Sequence, residues 1–421
     1  MAGSLGTYRT VLALTGPALP LISFLGRLPT AMCQLGSVLL VAETSGSLAT
    51  AGLAGGALAG GQTLAGPLLG RAADRYGQRP VVLTAAITNA VAVTALVLAA
   101  LAHLATGWLA LLGALAGASV PQVGPLARSR TVALAHRAGA DARTVAGALS
   151  FEGTLDEVSF VLGPAFVGLA ATLAHPAVAL LTAAALLAVC GTAFALHPTA
   201  RQLSARRRAV AARGRLPGAV YALRATMVLQ GAMFGASQAG ITALTEQLGR
   251  PSQTGLVYAA MGVMSAAAGL AMVAVPERLT LPVRWRIATA GLVVLSVPLV
   301  FVDTLIGLYA AVVVLGVAYA PHLITVFGLT ERLVPAGRLA ESMAFLTSGI
   351  VGGQALALAV SGRLAQDHGA AAAFAVMAGA GMLCAVCSWA VRGLGGRRPE
   401  AAACAAVARG AGAPPAAPVD G

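Results

Sequence analysis

The sequence predicts an all-α integral membrane protein of twelve transmembrane helices in two six-helix bundles. Three observations predict it. The 421 residues are 58% hydrophobic and 10% charged, with a mean hydropathy of +0.84. A soluble domain carries about 25% charged residues, so this chain lacks the polar side chains to cover a water-facing surface. Apolar runs of about 20 residues, long enough to cross a bilayer as a helix, recur twelve times. The arginines gather in alternate gaps between those runs, as topology signals do.

The runs fall at 14–42, 48–69, 80–103, 107–127, 145–173, 176–197, 219–244, 254–275, 287–303, 305–328, 342–364 and 370–392. Arg9 followed by an apolar run looks like the start of a signal peptide. The run continues past Cys33 to Val41 without a small-residue cleavage site, so it is read as a retained first span. A single charge, Asp303, separates spans 9 and 10.

All basic residues are arginine. With the N-terminus inside, twenty-three of them fall in cytoplasmic segments: Arg9, the groups around Arg75, Arg130, Arg207, Arg284 and Arg338, and the tail from Arg392. Only Arg250 and Arg363 fall outside, while Arg27 and Arg224 lie within spans. This asymmetry places both termini in the cytoplasm and requires an even number of spans. The net charge of +13 therefore reads as topology and not as a nucleic-acid surface.

The longest internal polar stretch, "HPTARQLSARRRAVAARGRLPG" from His197 to Gly218, divides the spans six and six. The expected organisation is a first bundle at 1–197, a linker at 198–218, a second bundle at 219–392 and a disordered cytoplasmic tail at 393–421. The halves are weakly alike. At an offset of 203, Glu43, Gly52, Leu53 and Gly66 meet Glu246, Gly255, Leu256 and Gly269; near 200, Pro121 meets Pro321. Same-direction six-span repeats are the pattern of a two-bundle transporter with its site between the bundles.

One short stretch carries a motif. "GRAADRYGQRP", Gly70 to Pro80, lies between spans 2 and 3. Gly70, Asp74, Arg75, Gly77 and Arg79 fit the pattern G-x-x-x-D-[RK]-x-G-x-[RK]. This resembles the signature loop of the major facilitator superfamily, and the resemblance extends over roughly residues 10–395 through span count, repeats and charge layout. It implies a loop that latches the two bundles on the cytoplasmic side, with Asp74 near the start of span 11 at Glu341 and Ser342. A carboxylate there gains from the exposed N–H groups of the helix end. The alternative is that these charges only set topology. The second-half counterpart, "PERLTLPVRWR", keeps basic charge and loses the Gly and Asp pattern.

Span 5, "SFEGTLDEVSFVLGPAFVGLA", holds Glu152, Asp156 and Glu157 in an apolar run. Each mid-membrane charge costs about 2.5–3.5 kcal/mol on insertion scales, and such residues mark pathways. Glu152 and Asp156 share a helix face, and Glu157 points about 100° away. Carboxylates placed so tend to share or hold a proton, which suits proton coupling; static pairing with Arg27, Arg128 or Arg130 is the alternative. Gly163, Pro164 and Gly168 resemble part of the span-5 motif of the superfamily's drug/proton antiporters. Ser159 and Val167 depart from that motif.

Arg27 in span 1 is expected to face a cavity or a carboxylate, and its repeat partner is Gln230. Pro121 and Pro321 point to broken helices around a site, followed by Gln122 and His322. In the family spans 1, 4, 7 and 10 line the cavity, which implies Arg27, Gln122, Gln230, Gln238 and His322 as substrate contacts; helix packing is the alternative for each. The antiporters' early span-4 arginine has no counterpart in "LLGALAGASV".

The five scattered cysteines give no disulfide framework. No phosphate loop or metalloprotease pattern occurs. The expectation is therefore no enzyme, no cofactor and no bound metal, and the resemblance implies a monomeric multi-pass transporter in the plasma membrane. Its partners would be protons, lipid and a small organic molecule, moved by alternating access. Proton-driven export is the first reading and nutrient uptake the second. A non-transporting membrane receptor or assembly factor is the third.

Overall fold

The computed structural model describes residues 2–200, 216–276 and 278–391. Most of the expected linker and the whole expected tail lie outside the described residues. The described chain is helical throughout. A short helix α1 (Ala2–Thr15) precedes span 1, α2 (Ala18–Ser45). Spans 2 and 3 are α3 (Leu48–Tyr76) and α4 (Gln78–Leu101). Span 4 is divided into α5 (Thr106–Ala118) and α6 (Val123–Arg137), and span 5 is α7 (Ala142–Leu173). Span 6 runs through α8 (Pro176–Leu186), a π-helical turn at Leu187–Gly191 and α9 (Thr192–Leu196).

The second half repeats the count. It comprises α10 (Gly218–Gln247), α11 (Thr254–Ala271), α12 (Leu281–Ser296), α13 (Leu305–Leu333), α14 (Leu339–His368) and α15 (Ala370–Ala390). Ten of these spans are apolar and long enough to cross a membrane by length and composition; α3 and α10, the glycine-rich spans 2 and 7, complete twelve at 29 and 30 residues. Large apolar side chains such as Leu173, Phe301, Ile306 and Trp389 stand exposed on the outside of the bundles, as a lipid-facing surface requires.

Local chemistry sets the boundaries. Ser47 accepts the N–H of Thr50, and Thr304 accepts that of Gly307 directly after Asp303; both satisfy donors that a helix start leaves open. Gly77 turns the chain between α3 and α4 in one residue, at φ +94°, where a side chain would be strained. α1 was not anticipated as a separate element. Gly16 at φ +68° turns the chain and lets α1 lie against α7 and α6.

Pro121 and Pro321 behave differently, which corrects the expectation of matched broken helices. Span 4 breaks at Ser119–Gln122, with Gln122 held left-handed at φ +53°. Span 10 runs unbroken through Pro321. Neighbours hold it straight: Tyr319 stacks on Phe234 of α10 at 4.3 Å, and Gln230 donates to the Tyr319 carbonyl at 3.1 Å. A membrane helix tolerates proline where adjacent helices support it.

Within each half, glycines bring helices into backbone contact. A Cβ at Gly117 would lie 1.9 Å from the Leu58 carbonyl oxygen (spans 4 and 2), and one at Gly316 would lie 2.5 Å from the Met261 carbonyl oxygen (spans 10 and 8). These contacts are related by the 199–203-residue offset of the sequence repeat. Small residues are how membrane helices approach closely.

Candidate functional site: a charge cluster above a closed end

Between the bundles, contacts concentrate at the end that carries the arginine groups. There α3 meets α14. A Cβ on Gly70 would lie 2.7 Å from both the Ala340 oxygen and the Ala344 Cβ. Beside it the Asp74 carboxylate accepts the N–H groups of Ala340 (3.2 Å) and Glu341 (2.8 Å), capping the start of α14. Glu341 in turn takes a two-point bond from Arg338. His136 of α6 meets Glu331 of α13 at 2.9 Å. Arg75 and Arg79, the other charges of the loop motif, are exposed and half-buried.

The close approach continues inward from Gly66 against Ser348 to Gly352 against Thr63. On the other side of the interface α7 lies on α11, from Gly147 beside Val273, through Ser150 donating to the Gly269 carbonyl, to Val161 beside Gly262. Further along, a Cβ at Gly52, Gly56 or Gly60 of α3 would meet nothing within 4 Å. The molecule is thus closed at its arginine-rich end.

α1 adds a cross-tie at this end. The Tyr8 hydroxyl donates to the Leu270 carbonyl of α11 at 2.8 Å and sits 3.1 Å from Ser150 Oγ of α7. Burial raises the Tyr8 pKa, against a smaller opposing effect of Ser150. The phenol therefore stays protonated and remains a donor.

Just inside the closed end lies a cluster of four charges. Arg27 (α2) donates to the Glu152 carboxylate through Nη2 and to the Glu152 carbonyl at 3.1 Å, while its Nε is 3.3 Å from Asp156 Oδ1. Arg128 (α6) donates to the other oxygen of Asp156. Thr131, one turn after Arg128, donates to Glu152 Oε1 at 2.7 Å. The Phe327 ring, from α13 in the second bundle, covers the Arg128 guanidinium at 3.4 Å. Gly124 makes room: a Cβ there would lie 2.9 Å from Asp156 Oδ1 and 3.4 Å from Arg27 Nε.

The Arg27, Glu152 and Arg128 side chains are 4%, 3% and 0% exposed, against 14% for Asp156. Asp156 is thus the carboxylate open to a small cleft, about 40 Å³, whose walls include Arg27, Gln62, Gln122, Ser159 and Thr347. That volume admits a few waters. Two positive and two negative groups make the cluster electrically neutral.

The remaining sequence candidates lie elsewhere. Glu157 is buried and faces Ser265 and Tyr258 across the bundle interface. Gln230 and His322 are fully buried and bonded to each other, Nδ1 to Oε1 at 2.6 Å, inside the second bundle; neither borders the cleft. Gln238 is half-buried further along α10. A Cβ at Gly163 would lie 2.7 Å from the Ala31 Cβ, so Gly163 packs α7 on α2; Pro164 is half-buried, and Gly168 has open space beside it. Thr131 and Phe327 were not singled out in the sequence. Thr131 had one signal available, its i,i+3 spacing from Arg128. The described residues contain no group of three potential metal ligands.

No family model and no curated protein sequence matches the chain. Solved structures do. The human organic anion transporter MFSD10 (TETRAN) superposes with a TM-score of 0.64 at 17% identity, covering 91% of this chain and 98% of that one. A bacterial homologue of the iron transporter ferroportin, in an outward-facing state, gives 0.70 at 16%, covering 88% and 98%. The nucleoside transporter NupG gives 0.60 at 17%, covering 89% and 98%. At such identities the likeness concerns architecture. Twelve spans in two bundles, superposed over nine-tenths of the chain on these transporters, give this protein the major facilitator fold.

Proposed function

We propose that the chain is a secondary transporter that moves a small organic molecule across the membrane by alternating access, coupled to protons. The carrying observation is the buried Arg27–Glu152–Asp156–Arg128 cluster, which stands beside the bundle interface just inside a closed end. Intramembrane charges facing a cleft mark a transport pathway, and the closed end supplies one of the two states that alternating access needs. The arginine groups make that end cytoplasmic by the positive-inside rule. Asp74, held in the cap of α14, and Tyr8 act as the latch of this outward-facing state.

Asp156 is the coupling group in this reading, because it alone among the cluster's carboxylates reaches the cleft. Export in exchange for protons is the direction that the Gly163-Pro164 pattern suggests. Uptake together with protons is the second reading, and the neutral cluster favours it, since a carboxylate already paired to arginine offers a cationic drug no net charge to bind.

Whole-cell accumulation of labelled drugs, dyes and sugars tests the proposal. The comparison is between cells making the protein, cells making Glu152→Gln with Asp156→Asn, and empty cells. A change in accumulation that an uncoupler abolishes, and that the variant lacks, is expected. Uncoupler-sensitive flux that persists undiminished in the variant would remove the carboxylates from the mechanism.

A further inference from the structure

The polar atoms that remain unsatisfied around the cleft are all of one kind. Arg128 Nε and Nη1 and Gln122 Nε2 are buried and find no acceptor, and Arg27 Nε has only its 3.3 Å ionic approach to Asp156 Oδ1. Every one is an N–H donor, with no orphaned acceptor among them. Buried donors without acceptors are rare and costly, and call for an explanation. Arg27 and Gln122 border the cleft itself, and both residues are at least nine-tenths buried, at 5% and 3% exposure. The left-handed backbone at Gln122, uncommon for a residue other than glycine, fixes the amide at the break of span 4.

Resting on the transport reading above, we infer that this cleft is a binding site for an anionic group, a carboxylate, sulfonate or phosphate, and that the anion binds when Asp156 carries a proton. The argument is charge balance. With both carboxylates ionised the four groups sum to zero, so an entering anion meets Asp156 as a like charge. When an Asp156 oxygen takes up a proton delivered from the bulk solution through the water of the cleft, its hold on Arg27 Nε and Arg128 Nη2 weakens, and the cluster carries one net positive charge. A monovalent anion then restores neutrality and receives the freed N–H groups in planar, two-point geometry. Release of the anion favours release of the proton, because linkage between two ligands is reciprocal. Proton and anion therefore travel together.

The groups that face Asp156 fit this cycle. Arg27 approaches from α2 and Arg128 from α6; Glu152 and Glu157 share its own helix. From the second bundle come the Phe327 ring, stacked on Arg128, and Tyr258 with Ser265, which face Glu157. No second-bundle cation is among these neighbours. A cationic substrate would have to displace an arginine from its carboxylate, so the same site disfavours cations.

The test uses the purified full-length chain in proteoliposomes with an acid exterior and the membrane potential clamped at zero. The probes are radiolabelled benzenesulfonate, succinate and glycerol 3-phosphate as anions, choline and benzyltrimethylammonium as cations, and mannitol and uridine as neutral solutes. At least one anion is expected to accumulate, for a monovalent one by about tenfold per pH unit of gradient, as one-to-one electroneutral cotransport gives. Asp156→Asn is expected to abolish accumulation and to remove the pH dependence of anion binding. Arg27→Gln should abolish anion binding, and Arg27→Lys should restore part of it; melting temperatures of both separate this from misfolding.

Flux of a cation or neutral solute with none of any anion overturns the inference and leaves the transport reading standing. Accumulation of an anion by Asp156→Asn equal to that of the parent protein overturns the linkage to the proton. Absence of flux for every probe under every gradient overturns the transport reading, and this inference with it.

Discussion

Taking one partner out of a buried ion pair leaves the other charge stranded, at a cost of about 3–5 kcal/mol. Asp156→Ala strips Arg128 of its carboxylate in a position with no exposure to water. It is therefore expected to lower the melting temperature of the detergent-solubilised protein sharply, while Asp156→Asn, which keeps an oxygen acceptor, lowers it less. Gly124→Val tests the same spot from another side: its side chain would occupy the space between Asp156 and Arg27, and loss of solute binding with near-normal expression is the expected result. Asp74 is the residue to change at the closed end. Asn there retains one acceptor and loses the charge that favours a helix start, worth roughly 0.3–2 kcal/mol. In a protein with a cysteine at position 149, where Leu149 is buried beside Gly328, Asp74→Asn should raise thiol labelling by up to about tenfold. Unchanged labelling would mean that the cap does not hold this end shut. The sequence makes Glu152, Asp156 and Arg27 visible because charges are rare in apolar runs. It hides Thr131 and Phe327, whose residue types are ordinary in a membrane helix and whose meaning is purely spatial.

At the scale of helices, the two halves share a packing rule and differ in chemistry. Gly117 against Leu58 and Gly316 against Met261 are the same contact one repeat apart. Leu at either glycine would force spans 2 and 4, or 8 and 10, off each other, at about 1–3 kcal/mol or more. Both variants should express poorly and melt early, and Gly56→Leu, at a position with open space beside it, should do neither. The charged cluster has no such twin. The repeat partners of Arg27 and Gln122 are Gln230 and His322, which pair with each other and close off the second bundle's version of the cleft. Spans and turns were legible because their determinants are local: apolar length, a capping Ser or Thr, a glycine at positive φ. The straightness of span 10 was not, because the groups that brace Pro321 lie on span 7, ninety residues away in the chain. α1 was missed for a related reason. Span 1 reads from residue 14 in the sequence, and the residues before it carry no sign of a helix of their own; the turn at Gly16 separates α1 from span 1.

For the molecule as a whole, the described contacts between bundles gather toward the arginine-rich end, the arrangement that the alternating access proposed above requires. The Tyr8 hydroxyl of α1 reaches both halves. Tyr8→Phe keeps the ring and removes the tie; it should raise labelling at position 149 as Asp74→Asn does, and the double variant should raise it further, since the two lie on opposite sides of the interface and add independently. This arrangement bears on how the protein is handled in the laboratory. A fluorescent protein or affinity tag fused directly ahead of α1 would hang from the same fourteen-residue helix that ties the two halves. Fusions made there are expected to report altered turnover as an artefact, and matched fusions placed after α15 would reveal it.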